Sequence, residues 1–171
     1  MEPLVIVLRL VHVVCGVLWV GMALFNTFFL GPALQEAGPA AGKVMEGLQR
    51  RRLMTITPLL AVATLLSGVW LFWRASLGFS GAFLRSPVGH TFALGGVAAI
   101  AAFVIGMTVA RPAMMRAGAL AQRLAGAASE GERQAMAAEL GRLRARGATS
   151  GRLVAALLLV ATAAMAVARY L

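Results

Sequence analysis

Residues 4–30 read LVIVLRLVHVVCGVLWVGMALFNTFFL, and how this stretch is read decides the fold. It is apolar almost throughout, and far longer than a buried strand or an ordinary core helix. A helix needs about 20 residues at 1.5 Å rise each to cross a hydrocarbon core of about 30 Å. The stretch therefore predicts a membrane span, running to Gly31-Pro32. Yet it carries Arg9, His12 and Cys15 in its first half and Asn26 near its end. Polar side chains in lipid are costly and usually face the bundle interior or a cofactor.

The rest of the chain repeats the pattern. Of 171 residues, 60% are hydrophobic and 13% charged, against about half and about a quarter in soluble domains. Further apolar runs cover about 53–73, 87–110 and 150–170, the third opening with Ser86 as N-cap and Pro87 at the first helical position. Backbone groups in lipid must bond internally, so the spans are helices. The expected fold is all-α, an integral membrane four-helix bundle in a single domain.

The net charge of +10 does not point to nucleic acid, because the arginines lie between apolar runs. Residues 31–52 carry Lys43, Arg50, Arg51 and Arg52, and residues 111–152 carry eight arginines, whereas 74–86 carry only Arg74 and Arg85. The positive-inside rule places the first and third connections in the cytoplasm and both termini on the outer side of a bacterial inner membrane. Residues 112–148 are rich in helix formers, with Leu120, Leu124, Met136, Leu140 and Leu143 at three- and four-residue steps and a break at 126–131. They read as a cytoplasmic helical loop, either a helical hairpin or extensions of the third and fourth helices beyond the bilayer. The Met-Glu-Pro start lacks the basic region of a cleaved signal peptide, so the first helix is expected to be retained.

On a helix Arg9, His12, Gly16, Trp19 and Asn26 share one stripe, with Cys15 beside it. His12 falls about 12 Å below the helix start. The only other histidine, His90, sits about one turn into the third span, which enters from the same side. Two imidazoles across a four-helix core suit the axial positions of a haem. Glycines 16, 89, 95 and 96 reduce bulk nearby, Arg9 lies where a propionate would emerge, and Arg74 and Arg85 could assist from the second connection. Trp70 and Trp73 fit an interfacial belt, whereas Trp19 falls deeper and needs a partner for its N–H or a flat surface. Pro58 should kink the second helix, with Thr55 or Thr57 repairing the freed bonds. Ala98, Ala102, Gly106 and Ala110 form a small-residue ladder for close helix contact, within the bundle or between subunits. The chain has no aspartate, and its six glutamates lie outside the spans. That removes intramembrane carboxylate relays and carboxylate-bound metals.

Residues 10–34, LVHVVCGVLWVGMALFNTFFLGPAL, with His12 followed by Trp19 and Gly21, resemble the first helix of bacterial four-helix membrane proteins. These include the copper-resistance D-like proteins and the HemJ-type protoporphyrinogen oxidases. Residues 50–73, RRRLMTITPLLAVATLLSGVWLFW, are similar to their second helix. The resemblance implies a haem b site using His12. It does not extend to the functional lysine those oxidases carry in the third helix, since the lone Lys43 lies in a connection. That leaves His90 as the expected second ligand. The reading is a bis-histidine haem b protein in electron transfer or redox chemistry near the outer face, with a quinone, superoxide or a periplasmic carrier as the electron partner. Two alternatives stand beside it. One is copper handling by His12, Cys15 and Met22, since soft ligands suit Cu(I). The other is an accessory structural subunit of a larger membrane complex or homo-oligomer.

Overall fold

A computed structural model describes residues 2–124, 126 and 129–171. Four long helices carry the fold: α1 (Pro3–Glu36), α3 (Leu53–Ala75), α5 (Pro87–Leu124) and α6 (Glu130–Tyr170), each long and apolar enough to cross a membrane. Two short helices lie in the connections, α2 (Ala41–Arg50) and α4 (Gly81–Leu84). This is the architecture of a multi-pass helical membrane protein. The described residues contain no strand.

The long helices pack in sequence order around a ring: α1 on α3, α3 on α5, α5 on α6, and α6 back on α1. Each contributes to one central core, through Trp19, Ala61, Ala102, and Val154 with Leu158 respectively. Large apolar side chains such as Leu10, Val17, Leu66 and Val97 point outward and are exposed. In a membrane these faces meet lipid, which is as apolar as they are. The helices are therefore held by close packing and interhelical hydrogen bonds. The alanine ladder acts inside the bundle, with Ala98 and Ala102 buried. One turn before them, a Cβ on Gly95 would lie 3.2 Å from Ala164 Cβ and 3.3 Å from the Ala161 carbonyl oxygen on α6.

Two helices run further than their prolines suggest. The first span was expected to stop at Gly31-Pro32 and the third at Arg111-Pro112. Both continue, each through a five-residue π segment, Asn26–Leu30 and Gly106–Ala110. The Gly31 N–H donates to Asn26 O, and the Arg111 N–H to Gly106 O. The wider turn shifts the hydrogen-bond register just ahead of each proline. The proline then occupies the first turn of the next α segment, where its missing N–H is tolerated. In α3 the helix likewise continues through Pro58, and the Thr57 hydroxyl donates to the Leu53 carbonyl at 3.0 Å.

The connection between the third and fourth spans is helical, as the sequence pattern requires. It consists of extensions of α5 and α6. Leu124 ends one, and Ser129 caps the other by accepting from the Glu132 N–H at 3.2 Å. Residues 127 and 128, within the expected break, and residue 125 just before it lie outside the described residues. The extensions bury Ala113 and Leu140 between them. At the opposite end of the bundle Glu2 pairs with Arg74 at 3.1 Å, tying the N-terminus to the end of α3.

Candidate functional site

His12 is held by α3. Its Nδ1 donates to the Thr64 carbonyl oxygen at 2.8 Å. A carbonyl can only accept, so Nδ1 carries a proton, and in the neutral ring the lone pair is then on Nε2. Ser67 Oγ lies 3.5 Å from the same nitrogen, while its own proton goes to the Ala63 carbonyl at 2.6 Å. The ring lies directly over Gly68. A Cβ built there would sit 2.7 Å from His12 Cε1 and 3.0 Å from Nδ1. Gly68 is what lets the imidazole lie between the helices.

The sequence had assigned the space-making role to the glycines adjacent to the two histidines. Their contacts are different. Gly16 meets Thr64 Cγ2 at 3.4 Å from the site of its absent Cβ, so it brings α1 close to α3. A Cβ on Gly89 would fall 2.0 Å from the Phe83 carbonyl oxygen, so this glycine admits the backbone of α4 at the start of α5. Gly95 faces α6, and Gly96 has open space. The glycine that matters to the ring was legible only as a small residue in the second span. Nothing in a single sequence gives the register between helices.

The other candidate residues divide between core and periphery. Trp19 is 5% exposed and packs edge-on against Phe103, with ring centroids 6.5 Å apart. It fills the bundle centre and links α1 to the diagonal helix α5. Arg9 is exposed on the outer surface of α1. Arg74 is engaged by Glu2, and Arg85 is exposed after α4. His90 is also exposed, on the first turn of α5. Thus His12 is half-buried and oriented by protein groups, whereas His90 is exposed. Met22 receives the Thr57 hydroxyl at 3.6 Å. Cys15 is a half-buried free thiol. Among the described residues no three His, Cys, Asp or Glu side chains converge on one point.

Comparison with protein-family models, curated proteins and solved structures returns no match. The functional reading therefore stands on the chain's own residues.

Proposed function

We propose that this chain is a multi-pass inner-membrane haem b protein with His12 as the anchoring axial ligand, serving electron transfer or redox chemistry near the outer face. One observation carries the proposal. His12 Nδ1–H is committed to a backbone carbonyl 2.8 Å away. That is the second interaction that metal-ligating histidines usually make, because it fixes the tautomer, orients the ring and raises the basicity of the other nitrogen. The chain supplies no buried carboxylate for that role, and the Thr64 carbonyl takes it. Haem, when bound, would supply one-electron chemistry.

Each remaining residue has a defined contribution under this reading. Gly68 leaves room for the ring, and Ser67 supports Nδ1. Arg9, one turn toward the helix start, offers a cation to a propionate. His90 is the candidate for the second axial position, since α5 lies diagonally opposite α1 and starts from the same end. Its outward orientation makes it the weaker member of the pair. The uneven distribution of arginines supports an outer location for both termini and a cytoplasmic location for the α5–α6 extensions.

An absorption spectrum of the purified protein tests the proposal. A Soret band with sharp α and β bands on reduction is expected, and His12→Ala should abolish it. A low-spin spectrum that becomes high-spin in His90→Ala supports two histidine ligands. A high-spin spectrum in the intact protein removes His90 and favours a catalytic or gas-binding role. Copper without a porphyrin spectrum, or neither, overturns the haem reading. Orientation is tested separately. A cysteine at Ser129, in a Cys15→Ser background, should resist an impermeant thiol reagent in intact cells.

A further inference from the structure

At the end of the bundle far from His12, arginines gather without carboxylate partners. The described ion pairs engage Arg50, Arg74, Arg133 and Arg142. Among the described residues Arg111, Arg116 and Arg146 have none. A groove of about 280 Å³ runs between α5 and α6 here, lined by Thr108, Arg116, Leu143 and Arg146. A second concavity of about 470 Å³ adjoins it through Pro112 and Arg116, and adds Met107, Met115 and Arg111. Arg111 gives the most specific signal. Its Nε–H is fully enclosed and meets no acceptor among the described residues. A buried donor of a charged group left unpaired is costly, and an anion in the concavity that Arg111 lines offsets that cost through the charge of the guanidinium.

The position of the groove selects the anion. Arg111 closes the π segment Gly106–Ala110, at the point where the apolar run of α5 ends. Met107 and Met115 supply apolar walls beside the guanidinium groups, and the concavity they line is open rather than enclosed. A soluble anion needs the arginines alone. A phospholipid also uses the methionines, laying its acyl chains along α5 while its phosphate meets the arginines. Basic pockets between spans at the membrane surface suit anionic headgroups, with about 1 kcal/mol for each arginine, or about fivefold.

We infer that Arg111, Arg116 and Arg146 form a binding site for the headgroup of an anionic phospholipid in the leaflet at this end of the bundle. The site fixes the depth of α5 and braces the α5–α6 extensions against the membrane. The inference is independent of the haem reading.

Native mass spectrometry of the full chain, equilibrated with equal amounts of phosphatidylglycerol and phosphatidylcholine, tests it. Preferential retention of phosphatidylglycerol is expected. Arg111→Gln and Arg146→Gln should each reduce that preference about fivefold. Arg133→Gln, which removes a guanidinium already paired with Glu130, should leave it unchanged. Arg111→Lys should restore part of it. If Arg111→Gln does not fold, the exposed Arg146 carries the comparison alone. An unchanged preference in Arg146→Gln, or an equal loss in Arg133→Gln, overturns the site. Displacement of the lipid by millimolar inorganic phosphate shows a soluble-anion site and overturns the lipid assignment.

Discussion

The two helical hairpins of this protein use a similar plan to different ends. In each, the first helix passes through a π segment just before a proline, and the second carries a Leu-Leu-x-Val-Ala-Thr stretch, residues 59–64 in α3 and 157–162 in α6. The threonines make the same local bond, Thr64 to the Leu60 carbonyl and Thr162 to the Leu158 carbonyl, both at 2.8 Å. The buried face differs. Ala61 and Thr64 point inward in α3, whereas Leu158 and Ala161 do so in α6. One position of offset is about 100° of rotation. It turns the Thr64 edge of α3 toward His12, and in α6 it turns the corresponding threonine out to lipid. One seam consequently holds an imidazole against Thr64, Ser67 and Gly68. The other is closed by Gly95, Ala161 and Ala164. A shared local pattern fixes the helix and leaves open which edge the neighbour sees.

This contrast can be broken at its two key glycines. Gly68→Ala places a methyl against the tip of a side chain. The ring can move, so the fold should survive while the bond to Thr64 is lost. On the proposed haem reading, haem affinity should fall about 10- to 100-fold, the usual cost of removing a metal ligand's supporting partner. Haem titration of the purified variant measures it, and unchanged affinity would remove the orienting role assigned to Thr64. Gly95→Val meets a backbone carbonyl and an alanine of α6, which cannot swing aside. The helices must part, at a cost of about 1–3 kcal/mol. Unfolding in a detergent titration should show that loss, with the spectrum of the remaining folded protein unaltered. A change in the spectrum would mean that the two seams are coupled. The smallest effect is expected for Thr57→Val. It removes the hydroxyl's bonds to Leu53 and Met22 at a cost under about 1 kcal/mol, because interhelical polar contacts in bundles average about 0.6 kcal/mol. The same detergent titration applies, and a loss as large as that of Gly95→Val would mark the Pro58 turn as a weak point of α3.

Four spans were legible because lipid imposes a composition that no periodicity argument is needed to detect. The extent of the helices was less so. The fourth span was expected from about residue 150, and its helix begins earlier, at Glu130, in line with the reading of 112–148 as a helical hairpin or as extensions of the third and fourth helices. Gly31-Pro32 and Arg111-Pro112 read as stops, since a proline ordinarily ends a helix. The π turns that admit them are a backbone adjustment with no side-chain signature. At the candidate site, the depth of His12 and the need for a partner were readable from one helix. That the partner is the Thr64 carbonyl, that Gly68 makes the room, and that Trp19 belongs to the core are facts about pairs of helices. They depend on rotation and register, which one sequence does not encode locally.

The π segments also act as phase shifters. Each accommodates one residue more than an α-helix would over the same span, and so resets the angular position of everything after it by about 100°. A wheel drawn straight through 87–124 misplaces the arginines of α5 relative to Ala98 and Ala102. Removing a single residue between Gly106 and Ala110 would leave the membrane half of α5 in place. It would swing Arg111 and Arg116 a quarter turn or more around the helix axis, so the bundle could remain assembled while its basic end addressed a different neighbour.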